Sequence, residues 1–234
     1  MNTIGAHLAS IRATLPKGVE LLCVSKFQPI EAIREAYDAG ERDFGESRVQ
    51  ELLVKQAALP KDIRWHFIGH LQTNKVRQIV PFIHLIHSVD SERLLACINS
   101  EAAKAGRRVN VLMEVHVAAE ESKTGFAPEE LEGLMRSVQS GALSYPHVNI
   151  RGVMGMATNT EDEAEWRRCF RKIAEAGRMV EKSLKNDRSQ AKAMIISMGM
   201  SEDYRVAIEE GSTMVRIGSS IFGERNYCTG LPIL

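Results

Sequence analysis

One lysine stands where chemistry at a buried amine is expected. Lys26 ends an apolar run, residues 19–26, that is typical of a buried β-strand, and Pro29 begins a predicted helix. Because side chains alternate along a strand, Leu22, Val24 and Lys26 share one face, which points Lys26 inward. Burial favours the neutral, nucleophilic amine, the form that makes a Schiff base with an aldehyde-carrying cofactor. The alternative is a lysine that snorkels to solvent, the commoner case for a lone lysine.

The elements that must position this lysine alternate regularly along the chain. Strands are predicted at residues 19–26, 43–44, 65–68, 83–88, 109–117, 148–154, 193–197 and 213–217, and helices at 30–37, 47–57, 73–80, 91–105, from 128, 161–184 and 202–210. Eight strand–helix units in succession favour an α/β fold, a closed (β/α)8 barrel of the TIM type, in a single domain spanning residues 1–234. An open doubly wound sheet is the competing fold, but its GxGxxG fingerprint is absent after the first strand.

The carboxyl ends of the strands are where such a barrel gathers its chemistry. After the seventh and eighth strands, the loops offer backbone N–H groups and hydroxyls that could hold a phosphate: Ser197, Gly199 and Ser201 in one, Gly218 and Ser219 in the other. Either loop alone is better explained by turn chemistry and helix capping, with Ser201 as an N-cap. Two such loops at the fold's usual phosphate position, opposite an inward lysine, favour a phosphate site.

Three more side chains are candidates for this region. Arg216 inside a barrel needs an acceptor: a cofactor phosphate, a ring nitrogen of the cofactor, or a carboxylate such as Asp203, with a structural ion pair equally open. His66 could stack on or hydrogen-bond a ring, or be a satisfied core histidine, which is the commoner case. Lys123, after the fifth strand, is either a group at the pocket mouth or a solvated lysine.

Composition narrows the classes of function. The 234 residues include 30 basic and 30 acidic side chains, so nothing indicates nucleic acid or an anionic membrane as a partner. Neither a signal peptide nor an apolar run of membrane-spanning length is present. The scattered cysteines, Cys23, Cys97, Cys169 and Cys228, suggest reduced thiols in a cytoplasmic protein. The histidine pairs 66/70 and 84/87 lack partners at metal-ligand spacing, so no metal site is predicted. The polar stretch 182–190 is predicted as a surface loop.

A set of short motifs along the chain resembles a known family. The motifs are VSK at 24–26, FGESRVQE at 44–51, WHFIG at 65–69, LQTNK at 71–75, SKTGF at 122–126, RGVM at 151–154, SMGMSED at 197–203 and VRIGSSIFG at 215–223. Each motif is weak alone, but in this order, over residues 19–225, the set resembles the pyridoxal phosphate homeostasis protein family. The resemblance implies a barrel similar to the N-terminal domain of alanine racemase, with pyridoxal 5′-phosphate held on Lys26 as a Schiff base.

The resemblance also implies a set of cofactor contacts. Ser197, Arg216, Gly218 and Ser219 look like phosphate contacts, and Ser47 stands where many members carry a longer asparagine. No catalytic residue is assigned. The predicted cofactor-binding residues are Lys26, Ser47, His66, Ser197, Gly199, Arg216, Gly218 and Ser219.

By the same resemblance, the protein buffers or delivers pyridoxal phosphate in intracellular vitamin B6 homeostasis and amino-acid balance, without an established enzyme activity. Expected partners are the cofactor and the amino acids or acceptor apoenzymes that displace Lys26, and a cytoplasmic monomer is the default state. The alternative is a pyridoxal phosphate-dependent racemase, which needs a second proton donor. Alanine racemase-like enzymes carry that tyrosine on a separate C-terminal domain, whereas this chain ends soon after the barrel motifs, with Tyr204 and Tyr227 nearby. A carrier is therefore favoured over a racemase. A barrel scaffold that binds a partner protein and senses the cofactor is the third hypothesis.

Overall fold

Eight parallel strands form a closed barrel in chain order. The computed structural model describes residues 3–119, 124–184 and 193–223. The strands are β1 (Glu20–Val24), β2 (Asp43–Glu46), β3 (Arg64–Phe67), β4 (Leu85–Val89), β5 (Val109–Val115), β6 (Val148–Gly155), β7 (Ile195–Ser197) and β8 (Met214–Ile217). Each strand pairs with the next, and β8 pairs with β1 to close the cylinder. The expected (β/α)8 barrel is confirmed.

Helices surround the barrel. They are α1 (Ile4–Thr14), α2 (Ile30–Asp38), α3 (Val49–Ala58), α4 (Val76–Ile79), α5 (Glu92–Lys104), α6 (Pro128–Gln139), α7 (Glu163–Leu184), α8 (Tyr204–Glu209) and α9 (Ser219–Phe222). The sequence analysis missed α1, of which only Leu8 is fully buried, and the short α9. The predicted helix at 73–80 is a 3-10 turn at Thr73–Lys75 followed by the single turn of α4.

Side-chain alternation divides each strand between two cores. Outward residues such as Leu21 and Cys23 join the large apolar cluster between the barrel and the helices. Inside the barrel, Leu85, Leu112 and Met154 form a small second cluster. The next inward positions towards the carboxyl ends on β4, β5 and β8 are polar and buried: His87, Glu114 and Arg216. On these three strands the lumen therefore becomes polar towards its carboxyl-end mouth.

A glycine in β6 permits the close contact between β6 and β7. Gly152 has φ +148, and a Cβ at this position would lie 1.9 Å from the carbonyl oxygen of Ile195. The register between β5 and β6 shifts at the same level, between Val111 and Leu112. Only glycine fits this backbone without displacing β7.

Three further predictions concern membrane-spanning segments, the cysteines and a surface loop. No helix in the described residues is long and apolar enough to cross a bilayer. Cys23, Cys97 and Cys169 are free thiols, whereas Cys228 lies outside the described residues. The predicted loop at 182–190 begins with the last three residues of α7, and its remainder also lies outside them.

Candidate functional site

Lys26 lies on a turn at the carboxyl end of β1. The strand ends at Val24, two residues earlier than expected, and Lys26 is half-buried in the turn rather than buried on the strand. The turn is closed by the Gln28 N–H, which donates to the Ser25 carbonyl over 3.1 Å. Phe27 has φ 64, a left-handed conformation that is costly for a residue with a bulky side chain. The backbone that presents Lys26 is therefore locally strained.

A buried charged group lies beneath this turn, and we name it the turn cluster: Ser25, Glu46, Glu51 and Lys55. The Lys55 ammonium donates to the Ser25 carbonyl (2.8 Å), to Glu46 Oε1 (2.8 Å) and to Glu51 Oε1 (2.6 Å). Glu51 Oε1 also accepts the backbone N–H of Phe27 over 2.7 Å. The Ser25 hydroxyl donates to Glu46 Oε1 over 2.6 Å. Ser25 thus belongs to the turn, Lys55 and Glu51 bind its backbone, and Glu46 binds Ser25 and Lys55.

Glu46 is the member of the turn cluster whose pKa is shifted by burial. Its side chain is fully buried, and Oε2 has no hydrogen-bond partner within the described part of the chain. Burial raises the pKa of Glu46 to about 7, in spite of the nearby Lys55 ammonium, which acts in the opposite direction. The carboxyl group is therefore partly protonated near neutral pH.

The glycine- and serine-containing loops follow β7 and β8, and the loop after β8 lies beside the Lys26 turn. Gly199 follows β7 with φ +93, and its carbonyl accepts the Arg216 N–H over 2.9 Å. A Cβ at Gly218 would lie 3.0 Å from the Val24 carbonyl oxygen, so β8 passes close to the end of β1. The expectation that these loops lie opposite the lysine is wrong for the loop after β8, because closure makes β8 the neighbour of β1. Ser201 is not an N-cap, because Asp203 is the residue that precedes α8.

Arg216 is a buried cation held by neutral acceptors. Nη1 donates to the Ser197 carbonyl (2.7 Å) and hydroxyl (3.0 Å), and Nη2 donates to the Gly155 carbonyl (3.1 Å). Burial lowers the pKa of Arg216 to about 10, while the charges of Asp203 and Glu114 oppose this change. Asp203 accepts the Met200 N–H instead of a hydrogen bond from Arg216. Arg216 and Asp203 therefore share no direct hydrogen bond, as the alternative of a structural ion pair would require.

A chain of hydrogen bonds crosses the lumen from Arg216 to Asp43, the first residue of β2. His87 Nδ1 lies 3.2 Å from the Ser197 hydroxyl, and His87 Nε2 lies 2.9 Å from His66 Nδ1. His66 Nε2 lies 3.1 Å from Asp43 Oδ1. Burial lowers the pKa of His87 well below its ordinary value, so this ring is neutral. Ser197, His87, His66 and Asp43 therefore form one continuous chain of side-chain hydrogen bonds.

This hydrogen-bond chain bears on two predicted contacts. The Ser197 hydroxyl is fully buried and already bonded to Arg216 and His87, so its observed contacts orient Arg216. Both ring nitrogens of His66 are engaged, as in the core-histidine alternative, and a hydrogen bond to a cofactor would require one of these bonds to break. A stacking contact from His66 stays a prediction.

Glu114 is a lumen carboxyl that the sequence analysis did not single out. Only 3% of Glu114 is exposed; Oε1 accepts from the Thr124 hydroxyl over 3.3 Å, and Oε2 has no partner among the described residues. Burial, and then the charge of Asp90, raises the pKa of Glu114 to about 7. The available signal was an inward glutamate in an otherwise apolar strand, VLMEV at 111–115.

The remaining predicted residues occupy varied positions. Ser47 is half-buried directly after β2, where its carbonyl lies so near Gly69 that a Cβ there would approach it to 2.3 Å. Ser219 is exposed at the start of α9. The Tyr204 hydroxyl lies 3.1 Å from the Thr14 hydroxyl of α1, in the outer layer. Lys123 and Tyr227 lie outside the described residues. No group of three or more metal-ligating side chains occurs among the residues described.

The fold and the strand-end site place the chain in a class of barrels. A family model described as "Alanine racemase, N-terminal domain" matches residues 1–226. Alanine racemase from Clostridium difficile superposes with a TM-score of 0.74 at 14% identity, over 96% of this chain and 57% of that chain. That likeness concerns the fold alone.

Closer relatives narrow the class. The pyridoxal phosphate homeostasis protein of Aquifex aeolicus is 43% identical over 209 residues, covering 89% of this chain and 88% of the relative. The protein of that name from Pseudomonas aeruginosa is 37% identical over 238 residues, covering 97% of this chain and 98% of the relative. PipY from Synechococcus elongatus, solved with PLP bound, has a TM-score of 0.82 at 37% identity, over 94% of this chain and 100% of that chain. This chain belongs to the pyridoxal phosphate homeostasis protein family.

Proposed function

We propose that this protein holds pyridoxal 5′-phosphate as a Schiff base on Lys26 and buffers or delivers it in vitamin B6 homeostasis and amino-acid balance. The observation that carries the proposal is the half-buried Lys26 turn at the barrel mouth, beside the loop that follows β8. The names of the relatives and the PLP bound to PipY support the identity of the ligand.

The site fits this ligand chemically. When bound, pyridoxal phosphate supplies an aldehyde for reversible condensation with an amine, together with an aromatic ring and a phosphate dianion. Lys26 is the amine at the mouth. Arg216 is a buried cation bonded to neutral acceptors, so a ligand acceptor would complement its charge. Glu114 Oε2 is a buried oxygen with no partner among the described residues, and a ligand donor would satisfy it.

Each predicted residue takes a proposed part. Gly199, Gly218 and the exposed Ser219 receive the phosphate, because backbone N–H groups in loops suit a dianion. Ser197 positions Arg216 rather than contacting the phosphate through its hydroxyl, which is already bonded. Arg216, 5% exposed and deeper than the Gly218–Ser219 loop, meets the ring. His66 lies below the ring, and Ser47 lies at the rim.

The proposal favours a carrier over a racemase. A permanent positive charge on Arg216 beside the ring disfavours ring protonation and weakens the electron sink that racemisation uses. Tyr204 is not placed as a second proton donor, since its hydroxyl lies against Thr14 in the outer layer. The incoming partners are amino acids or acceptor apoenzymes that exchange with the Lys26 amine. The proposed state is a cytoplasmic monomer with one domain over residues 1–234, of which the family model matches 1–226.

The test is Lys26→Ala. The unaltered protein, incubated with pyridoxal phosphate and reduced with borohydride, should carry the label on the peptide containing Lys26, as identified by mass spectrometry. The Lys26→Ala variant should lose this label and its visible absorbance band, whereas Lys61→Ala, which changes an exposed lysine, should keep both. A label on another residue refutes the proposal. Rapid exchange of the alanine Cα proton in deuterium oxide by the loaded protein would favour the racemase instead.

A further inference from the structure

The turn that presents Lys26 does not hold its shape by local preference. Phe27 has φ 64 and is the non-glycine residue with positive φ among the described residues. An L-residue with a large side chain adopts this conformation only where its surroundings impose it. The guanidinium of Arg48 lies 4.8 Å from the centre of the Phe27 ring, so this side chain is also held from outside. The imposed conformation therefore has to come from the groups bonded to the turn.

The turn cluster supplies these bonds from below. The Lys55 ammonium binds the carbonyl of Ser25 on one side of Lys26, and Glu51 binds the N–H of Phe27 on the other. Lys55 and Glu51 are themselves joined over 2.6 Å. The two backbone groups that flank Lys26 are thus tied to one ion pair on α3.

Burying this ion pair costs free energy, so we ask what it binds that an apolar side chain could not. Lys55 is fully buried, and only 11% of the Glu51 side chain is exposed. Buried ion pairs contribute little net stability, and apolar residues of similar volume often replace them at no loss. An apolar residue at position 55 would fill the space but could not bind the Ser25 carbonyl. The chemistry of the turn cluster points to orientation of the turn rather than to stability of the barrel.

We propose that Lys55 is a positioning residue that, through Glu46 and Glu51, fixes the turn from which Lys26 presents its amine to an aldehyde ligand. This inference rests on the proposed function and adds a residue set to it. Lys55 acts through the Ser25 carbonyl and the carboxylates and does not contact the ligand. Its loss should therefore slow covalent capture by Lys26 and leave phosphate-anchored, noncovalent binding unchanged.

A double-mutant cycle with Lys26 separates these two effects. Lys55→Met keeps the length and apolar stem of the side chain and removes the ammonium. In the Lys26 background, Schiff-base formation with pyridoxal phosphate, followed by absorbance, should slow about 10- to 100-fold. In the Lys26→Ala background, the same substitution should change the affinity for pyridoxal phosphate by less than about twofold. Lys61→Met, at an exposed position, is the matched control.

A second pair of variants covers the case in which Lys55→Met does not fold. Glu51→Ala removes the acceptor of the Phe27 N–H, whereas Glu51→Gln keeps an oxygen that can accept it. Glu51→Ala should therefore slow capture, and Glu51→Gln should restore most of the rate. Hydrogen exchange of the Phe27 amide, measured without ligand, should accelerate in Glu51→Ala and stay protected in Glu51→Gln.

The outcomes distinguish the inference from the proposed function. If the unaltered protein forms no Lys26 adduct, the proposed function fails before any cluster variant is made, and the inference fails with it. If the adduct forms and folded Lys55→Met or Glu51→Ala captures the aldehyde at the unaltered rate, only the positioning role is overturned. A clear loss of affinity caused by Lys55→Met in the Lys26→Ala background would also overturn it, because Lys55 would then act on the site as a whole.

Discussion

Glu114→Gln tests whether the barrel lumen holds a carboxyl group that titrates near neutral pH. Burial raises the pKa of Glu114 to about 7 from an ordinary value of 4.5. The substitution keeps the shape of the side chain and the Oε1 acceptor that Thr124 contacts, but it removes the titration. Any difference in pH dependence between the two proteins therefore reports on this carboxyl group.

The sign of the effect follows from proton linkage. Because the folded-state pKa lies above the unfolded one, the native protein binds this proton more tightly than the unfolded chain does. The stabilising contribution is complete below the ordinary pKa and disappears as the pH rises through about 7. At about 1.36 kcal/mol per unit of pKa, the full contribution is about 3 kcal/mol, most of which is lost between about pH 5 and about pH 8.

The assay is urea unfolding at these two pH values for both proteins. The free energy of unfolding of Glu114→Gln, relative to the unaltered protein, should increase by about 2–3 kcal/mol from about pH 5 to about pH 8. Glu181→Gln, at an exposed position of α7, controls for the effect of the amide itself. A relative stability that stays constant over this range would show that Glu114 ionises as an ordinary surface carboxyl does, and that burial does not raise its pKa.

Two other substitutions probe the ligand contact and the barrel. Arg216→Ala should weaken pyridoxal phosphate binding by about 1–3 kcal/mol, and pyridoxal binding by the same amount, if the buried guanidinium meets the ring as proposed. A loss seen only with pyridoxal phosphate would reassign Arg216 to the phosphate. Gly152→Ala should lower the free energy of unfolding in urea by more than about 2 kcal/mol, since a Cβ would lie 1.9 Å from the Ile195 carbonyl oxygen. Unchanged stability would contradict the reason given for this glycine.

The barrel could be predicted because its strands leave a regular signal. Buried parallel strands are apolar runs of four to eight residues, and helices with one buried stripe separate them. This signal is missing from helices that bury few residues or are only one turn long. Of the eleven residues of α1 only Leu8 is fully buried, and α4 is a single turn, so neither shows a sustained helical period. The position of β8 beside β1 follows from closure, which no local pattern contains.

The site could be predicted in part for the same reason. Lys26, Arg216 and Gly218 stand at strand ends, where the fold itself indicates function. Ser197 was also predicted as a cofactor contact, but the sequence could not reveal that its hydroxyl is bonded to Arg216 and His87, because these residues come from three different strands. Side-chain hydrogen bonds across a lumen depend on register and closure together.

Lys55 shows most clearly what a sequence conceals. On α3 the residue stands four positions after Glu51, a spacing that ordinarily indicates a solvent-exposed ion pair. Its place three residues after buried Leu52 is on the inner face of α3, but a charged side chain is rarely buried there. It is buried because α3 packs over the end of β1, where the Ser25 carbonyl and Glu46 supply two acceptors from other elements. A charge on an amphipathic helix is therefore ambiguous until the strand beneath it is known. In this protein the turn that follows this strand carries the lysine proposed to bind the cofactor, so a residue that resembles ordinary surface charge lies directly beneath the proposed site.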